Sequence, residues 1–204
     1  MNHELRNLVA GIGTNTERNL IETTLFYLRE SKRTGGEVEK SELDIKKDET
    51  ECLIDFAINH SILLDELDTS LYIGEGAEQR VYLQPDGKNV IKVNDSIFYV
   101  SWEDYFVSLL IHNYLFPTTQ YQFLGFVQEE KSLFAVIKQA FIESTEPTDL
   151  LLLRQFLEKK GFKHKKNNDY FHDDLGIILE DLHDENVLTN NGFFFFIDTV
   201  IYLK

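Results

Sequence analysis

Towards the C-terminal end of the sequence, Asp181 is followed five positions later by Asn186, and a second carboxylate, Asp198, closes the apolar run Phe193-Phe194-Phe195-Phe196-Ile197. An acid, a carboxamide and a further acid in this order suit phosphoryl transfer from a nucleoside triphosphate. That chemistry needs one carboxylate facing an acceptor hydroxyl. It also needs a carboxamide and a second carboxylate to hold magnesium against the phosphates. A tight loop between two short strands would bring three such side chains to one point.

Two further segments lie upstream. The run Tyr72-Ile73-Gly74-Glu75-Gly76-Ala77-Glu78-Gln79-Arg80-Val81-Tyr82 predicts a strand, a glycine-containing turn and a second strand with Val81 facing inward. Glycine lets backbone N–H groups approach phosphate oxygens without a side chain in the way. Beyond a turn at Pro85-Asp86-Gly87, Lys92 stands alone inside the apolar strand Asn89-Val90-Ile91-Lys92-Val93. A buried ammonium is costly unless its charge is met, and nucleotide phosphates would meet it. Each segment also has a plainer reading. The glycines suit any hairpin, and a strand lysine often lies at an edge with its ammonium in water. Residues 181–186 could be a solvated acidic loop, and the four phenylalanines a strand buried on both faces.

In the segments GEGAEQRVYL, NVIKVND, SWEDYFVSLLIHNYLFP, QYQFLGF, LEDLHDENVL and FFFFID, the chain resembles the Ser/Thr/Tyr kinase-like domains of polyvalent proteins from phages and mobile elements. The resemblance covers about residues 50–204. It implies an α+β, minimal protein-kinase-like fold. Its parts would be a five-stranded antiparallel small lobe with one packed helix, a truncated second lobe with a β-hairpin, and a helical N-terminal appendage. It implies ATP and Mg²⁺ as cofactors. Lys92 would hold the α/β-phosphates, and the backbone at Gly74, Gly76, Ala77 and Glu78 would cover them. Val81 would face the nucleotide, and Gln139 and Phe141 belong to a hinge segment whose backbone would bond the adenine edge. Asp181 would be the base, with Asn186 and Asp198 on Mg²⁺. The helix after the lysine strand normally supplies a glutamate to orient it. Its only acids here are Glu103 and Asp104 in the first turn, which makes Glu103 the candidate partner of Lys92, with a role at the helix dipole as the alternative.

The chain also departs from protein kinases. Gln79 stands where a third loop glycine is usual, and Leu179-Glu180 replaces the His-Arg before the base. His183 stands where small-molecule kinases often have His, and Thr199-Val200 follows Asp198. The sequence runs six residues beyond Asp198, and the expectation is that no activation segment follows. The acceptor would then be a dedicated protein partner or a small hydroxyl compound rather than a generic peptide. Two other functions stay open. One is a pseudokinase that holds nucleotide or a partner without turnover. The other is a metal-dependent phosphohydrolase using His172-Asp173-Asp174 and His183-Asp184.

Around these residues the expected organisation is an appendage over 1–68, a small lobe over 69–142 and a reduced large lobe over 143–204. Helices are predicted over about 16–31, stopping at Gly35-Gly36, over 51–59 with continuation towards Leu67, over 101–114 with Ser101 as cap, and from Pro147-Thr148 through Lys160. Residues 37–50 read as a charged linker. Strands are predicted over 121–128 and 132–141, and short strands after Gly161. Cys52 lies on an apolar helix face and reads as core. The net charge of −15 argues against non-specific nucleic-acid binding. The run Lys159-Lys160-Gly161-Phe162-Lys163-His164-Lys165-Lys166 is a local exception, either a solvated helix end or an anchor for an anionic substrate. No segment approaches the roughly 20 apolar residues of a membrane span. No signal peptide is recognised at the start, and the expected location is the cytoplasm.

Overall fold

The structure is a computed structural model that describes residues 3–10, 19–34, 41–76 and 79–204. It is an α+β arrangement of antiparallel sheets with five α-helices and one short 3-10 helix among the described residues. Two compact units divide it, one of residues 13–110 and 121–141, the other of residues 1–12, 111–120 and 142–204.

The first unit is built on five strands: β1 (Tyr72–Glu75), β2 (Gln79–Leu83), β3 (Asn89–Asn94), β4 (Gln122–Glu129) and β5 (Ser132–Ala140), in the order β1-β2-β3-β5-β4. Before them come α1 (His3–Val9, in the second unit), α2 (Leu20–Thr34) and α3 (Glu42–Asn59). Ile21, Leu25 and Leu28 recur at helical spacing and are buried, as are Leu53, Phe56 and Ala57 of α3. The predicted start of α2 at residues 16–18 and its stop at Gly35-Gly36 fall outside the described residues. The charged stretch read as a linker is helical from Glu42 onward. Ser41 caps it by accepting from the Asp44 N–H at 3.3 Å. The helix ends at Asn59 and does not continue towards Leu67. Ser61 turns the chain with φ +55°, and residues 62–64 then lie along β4.

That crossing covers one face of the sheet. Tyr82, Ile91, Val93, Val127 and Val136 form a buried cluster under Leu64 and Leu67. The other face meets α4 (Trp102–Leu115), where the Phe106 ring lies 5.0 Å from Phe123 and the Trp102 ring 5.9 Å from Phe126. The predicted cap holds: Ser101 Oγ accepts from the Asp104 N–H at 3.0 Å. β3 and β5 are interior strands buried on both faces, which explains their near-continuous apolar runs.

The second unit contains α5 (Leu150–Lys159), β6 (Lys163–His164), β7 (Tyr170–His172), β8 (Ile177–Glu180), β9 (Val187–Asn190), β10 (Phe193–Phe196) and β11 (Val200–Leu203). β6, β7, β8 and β11 make a four-stranded sheet in the order β11-β8-β7-β6, while β9 and β10 pair as a hairpin. α5 starts later than predicted. Asp149 caps it by accepting from the Leu151 and Leu152 N–H groups, and the Thr148 hydroxyl instead donates to the Val187 carbonyl at 2.6 Å. Only Leu153 and Leu157 of α5 are buried, whereas Leu151 and Leu152 are exposed. The four phenylalanines are not a strand buried on both faces: Phe193 is 71% exposed and Phe196 is buried, stacked 4.0 Å from Phe116.

One contact in the first unit tolerates no side chain. Phe126 N–H donates to the Ile62 carbonyl, and Leu64 N–H to the Phe126 carbonyl. A Cβ on Gly125 would sit 2.2 Å from the Ile62 oxygen, at φ +145°. Backbone, not a flexible side chain, would have to yield. Gly125→Ala is expected to cost roughly 3 kcal/mol in urea unfolding.

Candidate active site

In the first unit the register places Gly74, Val81, Lys92, Ile137 and Phe123 in one row across all five strands. Cross-strand partners share a face, so Lys92 is flanked by Val81 and Ile137 on the side that α4 covers. Lys92 is 3% exposed on the central strand, and its ammonium lies 5.7 Å from the centre of the Tyr121 ring. It is therefore not an edge lysine with its ammonium in water. Gly74 and Gly76 have open space where a Cβ would stand and no positive φ. Neither packing nor backbone conformation requires glycine at either place. Gly76 N–H closes the turn on the Gln79 carbonyl at 2.8 Å. Ala77 and Glu78 lie outside the described residues.

Gln139 is buried opposite Val90. Phe141 is 39% exposed, and its N–H donates to the Lys88 carbonyl at 2.8 Å. That bond extends the β3–β5 ladder by one step and occupies a donor expected to face adenine.

Glu103 departs from expectation. Its carboxylate takes Arg29 Nε at 2.8 Å and Lys32 Nζ at 2.6 Å, both from α2, instead of serving Lys92. Lys32 also reaches Glu49 Oε1 at 2.8 Å, and Glu49 Oε2 accepts from the Trp102 N–H at 2.6 Å. The first turn of α4, with its own Glu103, is thus met by one carboxylate, Glu49, and two cations, Arg29 and Lys32, from the N-terminal helices. Helix dipole and capping account for the acids there, and charges brought from about 70 residues away set their partners. Burial pushes both carboxyls upward. For Glu103 the pairs with Lys32 and Arg29 outweigh it and hold the group below its ordinary value of 4.5. For Glu49 burial wins over Lys32 and the Trp102 N–H, and the group is raised.

In the second unit, Asp181 leaves β8 with φ +64°, a left-handed conformation that Asp tolerates better than most residues. Asn186 clamps it: Nδ2 donates to the Asp181 carbonyl at 2.9 Å and to Oδ2 at 3.1 Å. His183 Nδ1 accepts from the Glu185 N–H at 3.2 Å, and its Nε2 lies 3.3 Å from Asp181 Oδ1 and 3.2 Å from Asn186 Nδ2. The Asn186 carbonyl accepts from the N–H groups of Ile197 and Asp198 at 2.9 and 3.3 Å. The two ends of the β9–β10 hairpin are thereby fastened together, and Asp198 is anchored beside Asn186 through its backbone. The amide nitrogen of Asn186 is spent on Asp181. An amide oxygen and a carboxylate are hard donors of the kind Mg²⁺ takes, and among the described residues no group of three or more His, Cys, Asp or Glu is gathered that could hold a metal ion.

Sequence reasoning missed the supports of this loop. The Asp181 N–H donates to Asp169 Oδ1 at 3.4 Å, and the Leu182 N–H to the Asn168 carbonyl at 3.3 Å, both from the β6–β7 turn. The polar turn was legible, but its partner was not. His172 and Asp173 serve the hairpin: the His172 ring packs edge-on against Phe162 at 5.0 Å and over Gly161, and Asp173 pairs with Lys163.

The buried strand lysine lies in the first unit and the Asp181–Asn186 loop in the second, each on an antiparallel sheet. A family model described as Serine/Threonine/Tyrosine kinase found in polyvalent proteins matches residues 46–204, most of the chain. The chain belongs to this family, and kinase-like transferase function with a nucleotide is general to it. No curated protein and no solved structure matches the chain. No helix among the described residues is long and apolar enough to cross a membrane.

The opposed shifts give a pH test. A carboxylate depressed on folding stabilises above its ordinary value, and that contribution is lost as pH falls through the folded value. Glu103→Gln is expected to cost about 1–2 kcal/mol at pH 7. The gap from wild type should close as pH is lowered through and below 4.5, read by urea unfolding at each pH. Glu49 works in the opposite direction but is present in both proteins.

Proposed function

We propose that the protein is an ATP- and Mg²⁺-dependent phosphotransferase that moves the γ-phosphoryl group to a hydroxyl acceptor. The observation that carries this reading is the clamp in which Asn186 holds Asp181 by both its carbonyl and its carboxylate. A solvated acidic loop has no need of a left-handed aspartate fixed from two sides. Strain held in place by such bonds belongs with function.

In this reading Lys92 orients the α/β-phosphates from the centre of a small lobe, and the backbone at Gly74 and Gly76 lies against them. Val81, Gln139 and Phe141 contribute to holding the nucleotide. Asp181 accepts the hydroxyl proton or orients the nucleophile, and His183, whose Nε2 lies 3.3 Å from its Oδ1, helps to hold that carboxylate in place. Asn186 Oδ1 and Asp198 would hold Mg²⁺, whose charge would offset that of the phosphates. Positioning supplies most of the rate, because phosphoryl transfer asks little covalent chemistry of the protein.

A second reading is a nucleotide-binding pseudokinase. Two observations favour it: Glu103 is engaged by Arg29 and Lys32, and the Phe141 N–H is engaged by Lys88.

Mg-ATP should raise the melting temperature by binding the folded state preferentially. Lys92→Met, which keeps the aliphatic stem, should abolish most of that rise. Gly74→Ala and Gly76→Ala should leave the ligand-free melting temperature unchanged and reduce the rise, since both sites have room for a methyl group. A wild type that does not respond to any nucleotide at millimolar concentration would refute nucleotide binding.

Asp181→Asn separates the two readings. It should keep the Mg-ATP response and lower phosphoryl transfer by about 100-fold or more. Tight binding with no turnover in the wild type, across protein and small hydroxyl acceptors, would establish the pseudokinase instead.

A further inference from the structure

The four-stranded sheet of the second unit has two unlike faces. One carries Tyr170, Ile177, Leu179 and Ile201, all buried. On the other, the register sets Lys163, Phe171, Ile178 and Tyr202 in a single row across β6, β7, β8 and β11. Along this row opens a cavity of about 310 Å³, lined by Lys163, His164, Lys165, Phe171, Ile178 and Lys204. Its surface is mostly apolar, and three of its six lining residues are lysines. The Lys204 ammonium stands 5.2 Å from the centre of the Phe171 ring.

We infer that this cavity is a binding site for a small phosphomonoester with a compact apolar or aromatic body. The phosphate would take the lysines, and the body would rest on Phe171 and Ile178. The volume is at the lower end for small-molecule sites, enough for one ring system and not for an extended chain. Charge decides between a small anion and a nucleic acid. A chain of net charge −15 repels a long polyanion. A ligand a few ångströms across feels chiefly the lysines within a Debye length, about 8 Å at physiological salt. Asp173 is the main competing group, since it pairs with Lys163, and Asp174 acts on the same lysine through its charge. Both side chains of that pair are more than half exposed, and such a pair exchanges readily for a better acceptor. The site is independent of the ATP reading, and its test uses no nucleotide.

Phenyl phosphate is a suitable probe, followed through backbone amide NMR signals of the full chain. Millimolar phenyl phosphate should shift signals of Lys163, Lys165, Phe171 and Ile178, more strongly than inorganic phosphate does. Added salt should weaken the effect. The double variant Lys165→Glu, Lys204→Glu should weaken binding at least about tenfold, through reversed charge in the lining. Asp173→Asn should tighten it, because Lys163 loses its internal partner; a merely structural role for these residues would not produce opposite signs. No shift at millimolar phenyl phosphate, or unchanged binding in both variants, would overturn the proposal. Equal shifts with benzyl alcohol would reduce the site to an apolar pocket. Saturation of the same residues by a single-stranded oligonucleotide at lower concentration than phenyl phosphate would replace it with a polyanion surface.

Discussion

The two hydrogen bonds from Asn186 to Asp181 fix the shape on which the rest of the loop depends. A left-handed residue costs roughly 1–2 kcal/mol. A neutral hydrogen bond returns about 1 kcal/mol and one to a charged acceptor about 1.5–3 kcal/mol. Together the two bonds outweigh the strain, so the conformation is held without help from a ligand. The fixation spreads outward. With its side chain on Asp181, Asn186 uses its carbonyl on the N–H groups of Ile197 and Asp198. The link between β10 and β11 that carries Asp198 is therefore registered against the loop carrying Asp181 by one residue.

The sheet of the first unit solves a different problem. A central strand buried on both faces would most simply hold only apolar residues, and Ile91 and Val93 follow that rule. Lys92 breaks it between Val81 and Ile137. An ammonium with 3% exposure is expensive by several kcal/mol unless charge and hydrogen bonds surround it. Such a residue is a poor choice for stability alone, as are two glycines in open space at the β1–β2 turn. Lys92, Gly74 and Gly76 are the residues that the proposed function sets against phosphates.

Much of this was legible because it is local. The lone lysine in an apolar strand, the turn chemistry around Pro85-Asp86-Gly87, the Ser101 cap and the strand–loop–strand spacing around Asp181 each depend on neighbours in sequence. What was not legible depends on partners far away. The charged run before Thr50 reads as a linker by composition, yet Lys46 reaches the carbonyls of Ser96 and Tyr99, and Glu49 reaches Trp102. No periodicity reveals those contacts, which are what make the segment a helix packed on the unit. The partner of Glu103 was missed for the same reason. The exposure of Phe193 was missed because four consecutive phenylalanines fit a buried strand and the end of a hairpin equally well. The pairing of β11 with β8 needed the fold, since neither segment signals the other.

The network at the start of α4 gives the N-terminal helices a role that composition hides. Glu49 is 3% exposed, and a carboxylate at that depth would ordinarily be neutral. It is instead met by Lys32 and by a backbone N–H at the positive end of α4, while Lys32 also serves Glu103. One lysine thus links two carboxylates from different helices, and their pKa values move apart, Glu49 upward and Glu103 downward. Removing Lys32 would leave Glu49 buried without its cation, which costs far more than an exposed pair returns. The position of α4 against the sheet face that bears Lys92 is accordingly tied to α2 and α3. The segment that reads as an appendage is bolted to the helix that packs against the lysine's face of the sheet.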